Sequence, residues 1–388
     1  MKFVSIQQHN SASKQDGRGL GTPAARIVLV GAFALVGGTF SASIVHAADQ
    51  SAVSSTQAKT GTKYKADADM QAVLDAHAAL QPKPIESLGV AEARQQPTPA
   101  DAVMAVLVKQ GKDTSPTALV PGVTSVDREI PGAVGPLPAR IYTPAGKGPY
   151  PVIVYYHGGG WVIADKEVYD GGARGLSKQA NAIVVSVDYR LAPEAKFPAS
   201  WDDAFAAYQW VAANAATLNG DPKKLALAGE SAGGNLAVAT AIAARDAGIQ
   251  EPVGILAVYP VAQTGNMQTE SYRDSATAKP LNKAMIGWFV DKLLANSDDK
   301  KDPRIDLVNA DLKGLPPVTI INAQIDPLRS DGEMLEAALK KAGVKVERKV
   351  YKGDTHEFFG TAAVVKDAQD AQQFAGRQLR QQFARNGG

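Results

Sequence analysis

The chain has 388 residues, 45% hydrophobic and 21% charged, the composition of a globular protein with one large α/β domain and an added layer, or with two domains. Its 41 lysine and arginine residues against 39 acidic residues give a formal net charge of +2, which argues against a nucleic acid or another polyanion as partner. The chain contains no cysteine, which excludes disulfides, thiolate nucleophiles and cysteine-ligated metals.

The first 47 residues have the pattern of a signal peptide. A basic segment with Lys2 and Arg26 precedes the apolar run 27–40, and small residues then lead to a cleavage site after Ala47. An uncleaved signal anchor is the alternative, because the segment 27–45 carries no charge over nearly the length of a membrane span. In both cases the sequence predicts an exported protein, periplasmic or secreted, with no stable membrane partner unless the leader is retained.

Residues 48–64 are small and polar and predict a flexible linker. The next stretch has helical spacing, with apolar residues from Met70 to Leu80 on one side together with His77, and prolines end it. A second helix is predicted from about Pro99 towards Gln110. The sequence therefore places a helical layer before the first strand.

From residue 123 the pattern becomes that of strands. An antiparallel ribbon over 123–132 and 136–146 is followed by apolar runs at 152–157, 182–190, 224–231, 254–260 and 318–326. Helical segments such as 200–218 lie between these runs, which predicts a mostly parallel sheet with helices on both faces. The segment 270–300 is long for a crossover and is expected to rise over the edge of the sheet as part of a cap.

The stretch LALAGESAGGNLAV runs from a buried strand through Gly229-Glu230-Ser231-Ala232-Gly233 into a helix. This is the context of a nucleophile elbow, in which a serine sits on a sharp, strained turn. The glycines two residues before and after the serine let the strand and the helix cross closely. Ser231 is therefore the candidate nucleophile, with a helix N-terminus behind it that favours negative charge.

A nucleophilic serine needs a base, and the chain has five histidines. Two lie in the leader, His77 lies on the apolar side of a helix, and His157 lies at the end of a strand before three glycines. His356 remains, in a loop after the last strand, and it follows the serine in the chain order expected for this site.

The acid that orients the histidine should lie between them, at the end of the preceding strand. Asp326 stands at the end of the run 318–326, and Pro327 stops the strand there. Asp331 is the fallback, although a role as a helix N-cap explains an aspartate at that position.

The run HGGGW (157–161) is interpreted as a source of backbone donors. A serine that attacks a carbonyl creates an oxyanion, and the N–H of Ala232 with N–H groups of a glycine-rich loop can stabilise it. A phosphate cradle fits less well, because no G-K-[ST] ending and no helix start follow Trp161.

Six short blocks of the sequence, in this order, match a known family: HGGGW (157–161), DYRLAPE (188–194), FPA (197–199), GESAGG (229–234), DPLRSD (326–331) and GDTHEFF (353–359). In these blocks the chain resembles the hormone-sensitive-lipase family of α/β-hydrolases, the microbial family IV carboxylesterases. The resemblance covers roughly residues 65–385. It implies an eight-stranded α/β-hydrolase domain at 123–388, a helical cap at 65–122, no cofactor and no metal. It also implies hydrolysis of short- to medium-chain acyl esters by a serine hydrolase.

The resemblance assigns roles to particular residues. It makes Ser231 the nucleophile, Asp326 the acid and His356 the base. The oxyanion hole and its supporting loop would consist of Gly159, Gly160 and Ala232, with His157 and Gly158 shaping the loop. Trp161, Trp288 and Phe289 are candidates for the substrate pocket, with ordinary core packing as an equal alternative for the last two.

Three further features complete the resemblance. Asp188, Arg190 and Glu194 of the DYRLAPE block are interpreted as a local ion-pair and turn network. Glu230 departs from the family, which more often has aspartate before the serine, and altered contacts behind the elbow are the expected result. The leader and linker also depart from the many intracellular members.

The partner implied is a small acyl ester, and a homodimer is left open. An exported deacetylase or amidase with the same three residues is an alternative function. A non-catalytic small-molecule binding protein on this fold is the second, although such proteins usually lack the histidine that is present here as His356.

Overall fold

The apolar runs of the sequence form the centre of one eight-stranded sheet. The computed structural model describes residues 62–385. The strands are β1 (Val123–Pro131), β2 (Pro136–Pro144), β3 (Tyr150–Tyr156), β4 (Ile183–Val187), β5 (Gly220–Glu230), β6 (Ile255–Val258), β7 (Val318–Ile325) and β8 (Val346–Thr355). Their order is β1-β2-β4-β3-β5-β6-β7-β8, and only the pairs of β2 with β1 and with β4 are antiparallel. This confirms the predicted α/β-hydrolase architecture with a mostly parallel sheet.

The residues of β4 and β6 are all buried, as expected for strands covered on both faces. The helices are α1 (Ala68–Ala79), α2 (Val90–Ala93), α3 (Pro99–Lys109), α4 (Pro116–Leu119), α5 (Asp170–Ala180), α6 (Ala199–Asn214), α7 (Ala232–Asp246), α8 (Glu270–Asp274), α9 (Lys283–Leu293), α10 (Arg329–Lys341) and α11 (Lys366–Arg385). Val152, Val154 and Tyr156 of β3 pack in a core with α6, α7 and α10, whereas Ile153 and Tyr155 pack in a second core with α5 and α11. The alternation places the two cores on opposite faces of the sheet.

The helical layer before the first strand is present. Helix α3 begins with a capping box, in which the Thr98 side chain accepts from Asp101 N and the Asp101 carboxylate accepts from Thr98 N. Met70 and Val73 of α1 are buried, whereas Leu80 at its end is 37% exposed. The apolar side of α1 is therefore shorter than the sequence predicts.

The predicted leader (1–47) lies outside the described residues, and of the predicted linker only 62–64 are described. There, the backbone N–H of Lys63 donates to the carbonyl of Asp274 at 2.9 Å. Within residues 62–385, no helix is both long enough and apolar enough to cross a bilayer.

A group of carboxylates lies where the start of α1 contacts the segment before His356. Asp354 is 1% exposed, and its oxygens accept no hydrogen bond from the described residues. Burial, together with the nearby carboxylates of Asp367, Asp69 and Asp67, raises the pKa of Asp354 to about 8. No group of three or more acidic or histidine side chains among residues 62–385 has the arrangement of a metal site. The protonated acid is therefore the form that the fold favours.

We expect Asp354→Asn to stabilise the protein increasingly as the pH rises from 6 to 8, with no further gain above pH 8. An acid whose folded pKa is raised loses stability progressively as the pH rises from its unfolded pKa to its folded value near 8, and the loss is complete above that value. The asparagine stays neutral, so the difference in melting temperature between variant and wild type should grow by a few degrees. Asp113→Asn, at an exposed aspartate, is the control and should show no such growth. A pH-independent difference for Asp354→Asn would contradict the prediction.

Candidate active site

The strand β5 ends in a turn that presents Ser231 at the start of α7. Ser231 has φ 55° and ψ −117°, a conformation that L-residues rarely adopt. Its N–H donates to the carbonyl of Val258 at 2.8 Å, and its carbonyl accepts from Asn235 and Val261. The main chain therefore holds the serine in place independently of its side chain.

The flanking glycines are required by the close crossing of strand and helix. A Cβ atom on Gly229 would overlap the backbone of Gly233, and one on Gly233 would overlap the carbonyl oxygen of Tyr156 in β3. This is the steric reason that the sequence indicates for the two glycines.

Three predicted residues meet at the carboxyl ends of β5, β7 and β8. His356 Nε2 lies 2.9 Å from Ser231 Oγ, and His356 Nδ1 lies 2.8 Å from Asp326 Oδ2. The other oxygen of Asp326 accepts from Leu328 N at 2.8 Å. All three side chains are buried, so these bonds are shielded from bulk water. A proton on Nδ1, held by Asp326, leaves Nε2 free to accept from the serine hydroxyl.

The electrostatics of His356 favour a positive charge on its ring. Burial lowers the pKa of His356, the charge and hydrogen bond of Asp326 raise it, and the net result of all the neighbouring groups is a raised pKa. Glu357 and Glu230 act in the same direction. The pocket is thus suited to a histidine that takes up a proton.

Asp331 is not part of this arrangement, nor is it the N-cap that the sequence suggests. It lies inside α10, fully buried, and its Oδ2 accepts from the backbone of Ala262 at 3.0 Å and of Gln263 at 3.3 Å. Burial raises the pKa of Asp331 to about 7. Its role in the fold is to hold the loop after β6.

The glycine-rich loop after β3 lines the same cavity as Ser231. Gly159 has φ 94° and Gly160 has φ 60°, and the carbonyl of Gly159 accepts from Val162 and Ile163. A Cβ atom on Gly159 would overlap the carbonyl of Ile163, and one on Gly160 would overlap the ring of Phe289. The N–H groups of Gly159, Gly160 and Ala232 donate to no acceptor within residues 62–385. These three N–H groups are therefore available as hydrogen-bond donors.

His157 and Gly158 support this loop. The His157 ring is buried and stacks on Tyr189 at 4.4 Å between centroids, and the Tyr189 hydroxyl donates to the carbonyl of His157 at 2.8 Å. Burial lowers the pKa of His157. A Cβ atom on Gly158 would overlap the hydroxyl of Tyr169. Both residues contact the loop rather than the serine hydroxyl.

Glu230 makes its contacts behind the elbow. Its buried carboxylate accepts from the hydroxyls of Tyr155 and Tyr259, and the Tyr259 ring lies 4.4 Å from the His356 ring between centroids. Burial raises the pKa of Glu230 to about 8, although the two tyrosine hydrogen bonds lower it.

The charged residues of DYRLAPE do not pair with one another, contrary to the sequence interpretation. The Asp188 carboxylate pairs with Lys166 at 2.9 Å. Arg190 binds the fully buried Asp203, with 2.6 Å between its Nε and Oδ2. Glu194 pairs with Arg94 of the N-terminal layer. Each charge instead ties the block to a different element.

A cavity of about 800 Å³ opens in front of Ser231 and His356. Much of its wall is apolar, and it includes Trp161, Val261, Leu281, Met285, Ile286, Phe289, Val290 and Leu328. The predicted segment 270–300 therefore covers the site through α9. Trp288, a pocket candidate with core packing as the equal alternative, does not line the cavity: its Nε1 donates to the carbonyl of Leu88 at 3.2 Å. Successive helical residues point about 100° apart, so Phe289 faces the cavity and Trp288 faces the N-terminal layer.

Arg94, which the sequence does not single out, connects the N-terminal layer to the glycine-rich loop. Its guanidinium donates to the carbonyls of Val162 at 2.9 Å and Ala192 at 3.0 Å, and it binds both oxygens of Glu194 at 2.9 and 2.7 Å. Arg94 also lines the cavity. No local pattern marks such a residue, because its partners lie about seventy to a hundred positions away in the chain.

A hydrogen-bonded serine, histidine and aspartate at the carboxyl edge of a mostly parallel sheet, next to a glycine-rich loop, define an α/β-hydrolase. A family model described as the alpha/beta hydrolase fold matches residues 153–360. The chain belongs to the hormone-sensitive-lipase-like family, family IV, of the α/β-hydrolases.

Relatives named as esterases are similar to this chain over much of its length. Carboxylesterase NlhH of Mycobacterium tuberculosis is 38% identical over 280 residues, 71% of this chain and 88% of that protein. An arylesterase of Saccharolobus solfataricus is 35% identical over 236 residues, 58% of this chain and 74% of that protein. Among solved structures, an esterase of Pyrobaculum calidifontis has a TM-score of 0.71 at 34% identity, covering 79% of this chain and 97% of that one.

Proposed function

We propose that the protein is a serine carboxylesterase that hydrolyses short- to medium-chain acyl esters through an acyl-enzyme. The observation that carries the proposal is the continuous hydrogen-bonded series Ser231–His356–Asp326 at the cavity wall. The carboxylesterase and arylesterase names of the relatives support ester hydrolysis.

In the proposed mechanism, His356 Nε2 takes the proton of Ser231 Oγ as the oxygen attacks the ester carbonyl. The N–H groups of Gly159, Gly160 and Ala232 stabilise the resulting oxyanion. The imidazolium gives its proton to the departing alcohol, and the acyl group stays on Ser231. Water, deprotonated by the same nitrogen, then releases the acid and restores the serine.

The cavity supports an uncharged, largely apolar substrate. Phe289 lies over Gly160, and Leu281, Ile286 and Val290 extend the apolar wall. Contact with such a wall favours an acyl or alcohol group of a few carbons, because each buried methylene contributes about 0.8 kcal/mol.

Labelling with a fluorophosphonate tests the nucleophile, and a series of p-nitrophenyl esters tests the substrate class. We expect one adduct, located on Ser231 by mass spectrometry, and the highest kcat/KM with short to medium acyl chains. An amide or acetylated sugar cleaved faster than every ester would favour the deacetylase or amidase alternative. Absence of an adduct and of turnover would refute the proposal.

We also propose that the protein is exported, on the basis of the signal-peptide pattern at 1–47. Expression of the full chain in a bacterial host, with fractionation and N-terminal sequencing, tests this. A mature N-terminus at Ala48 in the periplasm or medium is expected, and an intact leader in the membrane fraction would favour the signal anchor.

Arg94→Ala should lower kcat by about tenfold, because the loop that carries the oxyanion donors loses its tie to the N-terminal layer, and small displacements of catalytic groups are costly. The measurement is steady-state kinetics with a short-chain ester. Lys83→Ala is the control. It removes a different ion pair of the same layer, between Lys83 and Glu92, and should leave kcat unchanged. Glu194→Gln keeps the bonds of Arg94 to Val162 and Ala192 and should have a smaller effect. Wild-type kcat in Arg94→Ala would contradict this role.

A further inference from the structure

The residue after His356 places a second carboxylate at the reactive side of the imidazole. Glu357 has φ 71° and ψ 4°, a left-handed conformation uncommon for a residue with a side chain. Its carboxylate lines the cavity, and its Oε1 lies 3.9 Å from His356 Nε2. Asp326 binds the opposite nitrogen, Nδ1, so the ring lies between two carboxylates.

The Tyr169 hydroxyl fixes the position of Glu357. This hydroxyl donates to Glu357 Oε1 at 2.6 Å. Tyr169 is itself buried, directly before α5, and its hydroxyl lies against the backbone of Gly158. One side chain therefore contacts both the glycine-rich loop and the carboxylate beside the histidine. The arrangement is not that of a solvated surface glutamate.

Several other titratable groups face His356 and Glu357. Asp326 follows β7, Glu230 ends β5, and Tyr259 follows β6 with its ring against His356. His77 of α1 lines a small cavity with both residues, and its Nε2 lies 2.9 Å from the carbonyl of Pro97. Compared with these groups, Glu357 is the one whose carboxylate oxygen lies close to His356 Nε2, the atom that accepts the proton in the proposed mechanism.

We propose that Glu357 is a positioning residue for the reaction: held by Tyr169, it acts through His356 and stabilises the imidazolium from the Nε2 side. The proposal rests on the proposed function, in which Nε2 accepts the proton of Ser231. Opposite charges within about 4–6 Å favour the charged form of a titratable group. Asp326 sets the tautomer, and Glu357 adds to the affinity of the ring for a proton.

Glu357→Gln tests this inference, because glutamine keeps an oxygen for the Tyr169 hydroxyl and removes the charge. We expect the pKa of the His356 imidazole, measured by NMR titration, to fall by about one unit. The acid limb of the pH profile of kcat/KM should move by the same amount, with kcat several-fold lower and KM within about twofold of wild type. Glu347→Gln, an exposed residue of β8, is the matched control and should change none of these values.

Tyr169→Phe should shift the histidine pKa in the same direction by a smaller amount, since it frees the carboxylate without removing it. An unchanged pKa of His356 in Glu357→Gln would overturn the inference, as would an equal shift in Glu347→Gln. Lower activity with an unmoved acid limb would indicate a purely structural role and would also overturn it. The NMR titration does not depend on turnover. Failure of the proposed function would appear separately, as absent fluorophosphonate labelling of wild-type Ser231.

Discussion

Replacing Ser231 by alanine is expected to lower kcat/KM for a short p-nitrophenyl ester by about 10⁵-fold or more, because removal of the nucleophile of such a triad leaves only binding and oxyanion stabilisation. The side-chain oxygen lies 2.9 Å from His356 Nε2, which takes its proton in the proposed mechanism. Fluorophosphonate labelling should be lost in the same variant.

The fold should survive this substitution. The backbone bonds of Ser231 to Val258, Asn235 and Val261 do not involve the hydroxyl, and alanine keeps the Cβ atom. A melting temperature within a few degrees of wild type is expected. Ser186→Ala, which removes another buried hydroxyl, from β4, is the control and should keep full activity. Turnover by a folded Ser231→Ala protein would refute the assignment.

Gly159→Ala is expected to lower kcat by about 10² to 10³-fold while KM changes little, because it displaces donors that act on the transition state. At φ 94° a Cβ atom is strained, and here it would also overlap the carbonyl of Ile163. The loop 159–163 must shift to relieve the overlap, and the N–H groups of Gly159 and Gly160 shift with it. Ester binding depends mainly on the apolar wall, so the loss should appear in turnover.

Substitutions at two other glycines are controls that distinguish displacement of the glycine-rich loop from the general effect of backbone strain. Gly111 has φ 66° but open space around its Cβ position, so Gly111→Ala should reduce stability without changing kcat. Gly287 in α9 has neither strain nor neighbours within 4 Å, and Gly287→Ala should be neutral or slightly stabilising. Equal losses of kcat in Gly159→Ala and Gly111→Ala would show that backbone strain alone is responsible.

Much of the fold is predictable from the sequence because its signals are local. Apolar runs mark five of the eight strands, the antiparallel ribbon marks two more, and Pro99 with its capping residues marks the start of α3. The eighth strand, β8, is less evident, because none of its first five residues at the edge of the sheet is buried. The elbow at Ser231 is also a local signal, since Gly229 and Gly233 are required by a crossing within one strand-turn-helix unit.

The geometry of the site follows from topology once the strands are known. Ser231, Asp326 and His356 each lie at the carboxyl end of a strand, and parallel strands bring these ends to one edge of the sheet. Chain order and elimination among the histidines therefore suffice to choose the three residues. The distances of 2.8 and 2.9 Å between them need the structure.

Only the tertiary structure decided which groups pair with each charged residue and in which direction individual side chains point. Asp188 and Arg190 pair outside their block, Asp331 binds the backbone after β6, and Trp288 turns away from the cavity. Arg94 lies in no motif and Glu357 is not singled out within GDTHEFF, yet the first reaches the glycine-rich loop and the second lies beside Nε2. By itself, the sequence determined the class of fold and singled out Ser231, His356 and Asp326 as the candidate nucleophile, base and acid, because periodicity and strand ends are properties of short segments. Contacts between segments distant in the chain depend on packing across the whole sheet and its covering helices, and no short stretch of sequence contains that information.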